Sequence, residues 1–179
     1  MTVPPEVAVK QDRLGGSCES EVKKRKLYLD TSILGFSLNR HDPVRQAEAN
    51  SLVRQIRLER FIGGYSFVTE AEIAEAPAHV AQRLRRKIAW AGLRRLRVRS
   101  RSQAHDLAER YCRGAVIPRE YFDDSLHVAI ATLWRADALV SYNFAHLVRL
   151  DTMVEVNAIN RQEGLTEIFL CQPREVLLP

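Results

Sequence analysis

An apolar run that ends in an acid places the strongest constraint on how this chain can fold. The segment Leu27-Tyr28-Leu29 is followed directly by Asp30 and then by two hydroxyl residues, Thr31 and Ser32. A strand inside a parallel sheet is buried on both faces, so it reads as a continuous apolar run. Ligands of open parallel sheets bind at the carboxyl ends of the strands. The pattern therefore predicts a buried strand with Asp30 at a candidate ligand-binding edge.

The length of 179 residues is typical of one domain with its own core. Residues 1–25 are rich in Pro, Gly, Ser and charge and lack periodicity, which predicts a flexible N-terminal extension before a single domain over 26–179. We expect a cytoplasmic protein without a membrane partner, because no apolar run approaches about 20 residues and residues 1–26 do not resemble a secretory signal. The widely spaced Cys18, Cys112 and Cys171 are expected to be reduced thiols, with the last two partly buried.

Positive charge is concentrated in one stretch of the chain. The formal net charge is +5, and residues 83–101 contain nine Arg and Lys residues without an acid. One interpretation is a solvated helix face followed by an exposed edge strand, and the other is contact with the phosphates of a nucleic acid. The candidates for contact with an RNA backbone are Arg83, Arg86, Arg94 and Arg95.

Strand-like and helix-like segments alternate along the chain. Strands are predicted at about 26–30, 65–68, 93–98, 138–141 and 166–170. Helices are predicted at about 42–60, 69–90 with an interruption near Pro77, 102–111, 119–135 and 152–162. Gly63-Gly64 is predicted to end the first of these helices, Thr69 to cap the second and Ser102 to cap the third. This alternation is typical of an α/β domain whose sheet is mostly parallel and whose crossovers are right-handed.

Three acids and one amide follow predicted strands or begin predicted helices. Asp30 ends the first strand, Glu72 lies in the first turn after the second strand, Asp124 begins the helix at 119–135, and Asn143 follows the fourth strand. These positions share one edge of a parallel sheet, where such folds place active sites. Glu70 and Glu75 compete with Glu72 for this role, and each acid taken alone also fits a helix cap.

Carboxylates that are close together repel each other unless a proton or a cation lies between them. An all-oxygen set favours Mg²⁺ or Mn²⁺, which in turn can neutralise the charge of a phosphodiester and activate water. Together with the basic stretch, the acids indicate a metal-dependent nuclease.

At these residues the sequence resembles the PIN-domain ribonuclease family over about residues 26–178. The matching segments are Tyr28-Leu29-Asp30-Thr31-Ser32, Glu72-Ile73, Asp124-Ser125-Leu126-His127-Val128-Ala129-Ile130-Ala131, Ser141-Tyr142-Asn143-Phe144-Ala145-His146 and Ile159-Asn160-Arg161-Gln162-Glu163-Gly164. The resemblance implies a PIN-like three-layer α/β/α fold with a five-stranded parallel sheet. It also implies Mg²⁺- or Mn²⁺-dependent hydrolysis of RNA to 5′-phosphate and 3′-hydroxyl ends.

The resemblance also assigns roles to residues. It implies that Asp30, Glu72 and Asp124 are catalytic residues and metal ligands, that Asn143 completes the catalytic set, and that Thr31, Ser32 and Asp123 support the site. Many bacterial relatives are VapC-type toxins, which are usually homodimers neutralised by an antitoxin protein. A cytoplasmic toxin of a toxin–antitoxin pair is therefore the expected role.

Asn143 departs from the family pattern, because many members have Asp at this position. An amide carries no negative charge, so a second metal ion should bind less tightly and a single-metal or slow enzyme is expected. Two alternatives stay open. One is a catalytically weak PIN-like module that binds RNA or a protein, and the other is an RNA-processing nuclease without a toxin role.

Overall fold

Five parallel strands form the centre of the fold. The computed structural model describes residues 23–97 and 100–177. The strands are β1 (Lys26–Leu29), β2 (Ile62–Tyr65), β3 (Arg94–Arg95), β4 (Ala138–Val140) and β5 (Phe169–Cys171), and their spatial order is β3-β2-β1-β4-β5. All four strand pairs are parallel. The α/β class and the five-stranded parallel sheet are therefore confirmed.

Eight α-helices flank this sheet in the described part of the chain. They are α1 (Thr31–Phe36), α2 (Pro43–Arg57), α3 (Phe67–Glu75), α4 (Ala78–Ala91), α5 (Arg101–Arg113), α6 (Phe122–Leu133), α7 (Leu150–Gln162) and α8 (Pro173–Leu177). Helices α1, α2, α4 and α8 pack on one face of the sheet, and α5, α6 and α7 pack on the other. The result is the three-layer arrangement that was predicted. Within the described residues, no helix is long and apolar enough to cross a membrane.

Strand β1 lies at the middle of the sheet and between the two cores. Leu27 and Leu29 belong to the apolar cluster on the α2 face, whereas Tyr28 belongs to the cluster on the α6 face. All three side chains are fully buried, as expected for an interior strand of a parallel sheet. The strand order reverses between β1 and β4, and this is the point where open α/β sheets bind their ligands.

The prediction for the second strand was wrong in its position. It placed Gly63-Gly64 at the end of a helix and the strand at 65–68, but both glycines lie inside β2. A Cβ on Gly63 would lie 2.5 Å from Leu93 Cδ2, and one on Gly64 would lie 2.9 Å from Leu96 Cδ2. The glycines thus allow side chains to pack closely on both faces of the sheet. Helix α3 consequently begins earlier than predicted, and its cap is Ser66 rather than Thr69.

Other element boundaries also shift. Ser100, not Ser102, caps α5, and a 3₁₀ turn over Arg119–Tyr121 precedes α6. Helices α1 and α8 were not predicted. The interruption at Pro77 is confirmed, since α3 ends before it and α4 begins after it. Cys171 is buried and Cys112 is partly buried, and both are free thiols. The predicted extension up to residue 22, Cys18, and the last residue of the predicted third strand, Val98, lie outside the described residues.

Candidate metal centre

Asp30 is the best anchored of the three predicted acids. It follows β1 and caps α1, with the Ser32 backbone N–H donating to Oδ1 at 2.8 Å. The Ser32 hydroxyl donates to the same oxygen and the Ser141 hydroxyl donates to Oδ2, both at 2.5 Å. Only 5% of Asp30 is exposed. The carboxylate is therefore fixed across the β1–β4 boundary by groups from both strand ends.

Glu72 lies on α3, the helix that follows β2. Its Oε2 accepts a hydrogen bond from the Thr31 hydroxyl and lies 3.1 Å from His127 Nε2. The sequence placed Glu72 in the first turn of a helix, but it is the sixth residue of α3 because the helix begins at Phe67. The side chain is 33% exposed. Glu72 thus connects the start of α1 to α6 at the edge of the sheet.

Asp124 occupies the first turn of α6, as predicted. An acid is favourable there because the helix N-terminus carries partial positive charge. Asn143 Nδ2 donates to Asp124 Oδ2 at 2.8 Å, and Asn143 Oδ1 accepts from the backbone N–H of His146 at 3.1 Å. Both ends of the Asn143 amide are therefore occupied, and the residue orients Asp124.

Two further side chains belong to the site although the sequence did not assign them to it. Ser141 holds Asp30 through its hydroxyl and also accepts from the Asn143 backbone N–H at 2.8 Å. Its position directly after β4 was the available signal, because the same rule had selected Asp30. The His127 ring is buried, and its Nδ1 lies 2.7 Å from the Tyr28 hydroxyl.

The electrostatics of the site are dominated by burial of like charges. Burial raises the pKa of Asp30 and of Asp124 above their ordinary values, and the repulsion between these two carboxylates also raises the pKa of Asp124. Burial would also raise the pKa of Glu72, but the His127 ring and the Thr31 hydroxyl outweigh it and lower that pKa. The buried acids therefore favour a positively charged neighbour.

His127 supplies one such charge. Burial alone would lower its pKa, but Tyr28, Glu72 and Asp30 raise it well above the ordinary value. A doubly protonated ring can donate to Glu72 from Nε2 and to Tyr28 from Nδ1, while the Tyr28 hydroxyl donates to Ser66 Oγ at 2.7 Å. With all three carboxylates ionised and the His127 ring protonated, the cluster would carry two net negative charges, which one divalent cation would compensate.

The oxygen atoms of the site fit a cation held by few protein ligands. Glu72 Oε1 and Asp124 Oδ1 accept no hydrogen bond from the described residues, and neither is buried away from water. Within the described chain no group of three or more His, Cys, Asp or Glu side chains has the spacing of a ready-made metal site. Mg²⁺ commonly binds one or two carboxylates and keeps several waters. Glu72 Oε1 and Asp124 Oδ1, together with the more deeply buried Asp30, fit that mode of binding.

The other predicted residues lie apart from this cluster. Asp123 is exposed on α6, and Arg83 and Arg86 are exposed on α4. Arg94 and Arg95 form β3 at the sheet edge, where Arg95 Nε donates to Glu70 Oε1 at 2.6 Å. Glu70 thus forms a surface ion pair rather than competing with Glu72. The structure brings together Asp30, Thr31, Ser32, Glu72, Asp124 and Asn143.

Fold and site together define a doubly wound α/β protein with a buried acidic cluster at its topological switch point. No protein-family model matches the chain, and no curated protein matches it. Among solved structures it is similar to a chain in the crystal structure of VapBC2 from Rickettsia felis bound to a DNA fragment from their promoter. The sequence identity is 16% and the TM-score 0.47, over 66% of this chain and 88% of that chain. At these values the likeness carries no argument about function.

Proposed function

We propose that the protein is a metal-dependent phosphodiesterase, and specifically an endoribonuclease that uses Mg²⁺ or Mn²⁺. The observation that carries this proposal is the convergence of Asp30, Glu72 and Asp124 at the carboxyl edge of β1 and β4. Bringing the buried Asp30 and the partly buried Glu72 and Asp124 together is costly unless a cation compensates their charge. A divalent cation beside a phosphodiester is a recurrent arrangement for hydrolysis.

The side chains would have different roles at such a site. Asp30, Glu72 and Asp124 would hold the cation, which would supply Lewis-acid stabilisation of the phosphate and a more acidic water. Thr31 and His127 orient Glu72, and Asn143 orients Asp124. In the reaction the water oxygen bonds to phosphorus while the bond to the 3′ oxygen breaks. The water gives up a proton to solvent and the leaving 3′ oxygen takes one up from solvent, which leaves 5′-phosphate and 3′-hydroxyl ends.

The role of toxin in a toxin–antitoxin pair rests on the sequence resemblance to VapC-type PIN proteins. It implies a homodimer and a partner antitoxin, and we include both in the proposal. Induced expression in bacteria should arrest growth, and co-expression of the neighbouring gene product should relieve the arrest. Growth without arrest would favour an RNA-processing nuclease instead.

One observation favours a second candidate, a PIN-like module that binds RNA or protein and has weak activity. The Asp30 carboxylate is already engaged by the Ser32 and Ser141 hydroxyls. No acid stands at position 143 to strengthen a metal site. Such a module would bind RNA without cleaving it at a measurable rate.

Adjacent acids on α6 give a matched test of the two candidates. Asp124→Ala should lower the rate of RNA cleavage about a hundredfold or more, because it removes a charged cation ligand from the site. Asp123→Ala removes the same charge from an exposed position and should cleave as wild type does. Cleavage of a structured RNA is measured with Mg²⁺, with Mn²⁺ and with EDTA. Equal rates for wild type and Asp124→Ala, or full activity in EDTA, would exclude the proposed enzyme.

A further inference from the structure

Two aromatic rings stack beside the acidic site. Tyr121 ends the 3₁₀ turn before α6, and His146 lies in the loop between β4 and α7. Their ring centroids are 3.7 Å apart and their planes differ by 25°. Tyr121 is 41% exposed, so water reaches a large part of its ring. Neither residue has a role in the site as described so far.

The stack is connected to Asp124 from both of its members. Tyr121 precedes Asp124 by three residues, at the junction where α6 begins. The His146 backbone N–H donates to Asn143 Oδ1 at 3.1 Å, and Asn143 Nδ2 donates to Asp124 Oδ2 at 2.8 Å. The rings therefore lie beside Asp124, one of the carboxylates that would hold the cation under the proposed function.

Tyr121 differs from two of the other exposed aromatic side chains, Phe144 and Trp90, which are covered by cations. Arg45 lies over the Phe144 ring at 5.2 Å, and both Arg57 and Lys87 lie over the Trp90 ring. Among the described residues, no cation lies over Tyr121. The underlying His146 ring holds Tyr121 in one orientation, which reduces the entropy lost when a ligand binds.

We propose that the Tyr121–His146 stack is a binding subsite for one nucleobase next to the phosphodiester that Asp124 faces. The inference rests on the proposed function, because it supplies the base recognition that the acidic cluster lacks. Every nucleobase has a π face, so stacking on tyrosine is tolerant of sequence but requires the base to be unpaired. The subsite thus selects a single-stranded nucleotide beside the cleaved bond.

The test compares binding of two fluorescein-labelled RNA oligonucleotides of equal length. One is oligoadenylate, and the other is abasic and presents only sugar and phosphate. Both are titrated by fluorescence anisotropy in EDTA, which prevents cleavage. Tyr121→Leu should weaken binding of oligoadenylate about 5- to 150-fold, the range typical of one lost base stack, and should leave binding of the abasic chain unchanged. Tyr121→Phe keeps the ring and should bind as wild type does.

The control variant is Phe169→Leu. Phe169 is 43% exposed, close to the exposure of Tyr121. It begins β5 and so lies at the amino ends of the parallel strands, whereas the acids lie at the carboxyl ends. It should bind both oligonucleotides as wild type does. Thermal melting of every variant checks the fold.

Two outcomes would overturn the subsite. One is equal affinity of Tyr121→Leu and wild type for oligoadenylate, and the other is an equal loss of affinity for the abasic chain. The proposed enzyme is judged separately, by the dependence of cleavage on Asp124. Cleavage that needs Asp124 while Tyr121→Leu binds normally would refute the subsite and leave the enzyme in place.

Discussion

Asn143 links the loop after β4 to the first turn of α6, and it does so as a neutral amide. Its Nδ2 donates to Asp124 and its Oδ1 accepts from the backbone N–H of His146. An aspartate could keep the second hydrogen bond but not the first, because a carboxylate has no donor. Compared with an aspartate at this position, Asn143 provides no charged metal ligand. It provides instead a hydrogen bond that holds Asp124 in place without a cation.

Asn143→Asp should make the stability of the protein depend on a divalent cation. In EDTA the new carboxylate faces Asp124, so a hydrogen bond is lost and repulsion is added, at a cost of about 1–3 kcal/mol. For a chain of this length the melting temperature should fall by roughly 2–12 °C. Mn²⁺ should raise the melting temperature of the variant more than that of wild type, because it binds the added acid.

Gln103→Glu is the control for this substitution. It introduces the same charge at an exposed position of α5 three residues after the N-cap Ser100, so any stabilisation of the helix start should be the same in EDTA and in Mn²⁺. Calorimetry or fluorescence melting with EDTA and with Mn²⁺ measures all three proteins. A variant that melts as wild type does in EDTA and gains no extra stabilisation from Mn²⁺ would contradict this account of the site.

Strand β2 shows, at the scale of elements, where sequence patterns succeed and where they fail. The pattern of apolar residues predicted five strands and their succession along the chain, because the spacing of buried side chains is a local property. The pair Gly63-Gly64 was misinterpreted because glycine fits both a helix end and a tightly packed strand. Only the packing of Ile56, Leu93 and Trp134 against the sheet distinguishes the two. That packing is tertiary and cannot be deduced from the local pattern.

Gly63→Ala should destabilise the protein. A Cβ there would meet Leu93 Cδ2 at 2.5 Å and Ile56 Cγ2 at 2.8 Å, and both side chains are themselves buried in the core. Overpacking of this kind lowers the free energy of unfolding by about 1–3 kcal/mol. Urea denaturation followed by circular dichroism measures the change.

Gly35→Ala provides the comparison within the same chain. Gly35 lies in α1, and a Cβ there meets nothing within 4 Å. The substitution should leave stability unchanged or raise it by up to about 1 kcal/mol, because alanine favours a helix more than glycine does. If both alanine variants had the same stability, close packing would not be the reason for glycine in β2.

At the scale of the whole molecule, the strand order explains both what the sequence could and could not predict about the site. Parallel strands have their carboxyl ends at one edge of the sheet, so the proximity of Asp30, Asp124 and Asn143 could be predicted from the sequence. The hydrogen bonds from Ser141 to Asp30 and from His127 to Glu72 join residues more than 50 positions apart. The first contact depends on β1 and β4 being neighbours in the sheet and the second on how α3 packs against α6, and no local pattern encodes that geometry.

The same strand order makes a prediction about how the molecule opens. Strand β1 pairs with β2 and β4, and Leu27, Tyr28 and Leu29 are fully buried, so exposing its amides requires both cores to separate. Native-state hydrogen exchange of these amides should need a free energy close to global unfolding, about 5–15 kcal/mol for a domain. The two-residue β3 lies at the sheet edge with exposed side chains, and its amides should exchange through local opening at lower free energy. Exchange is followed by NMR, and the opening free energies are compared with the unfolding free energy from urea denaturation. If the amides of β3 were as strongly protected as those of β1, the sheet would not open from its edge.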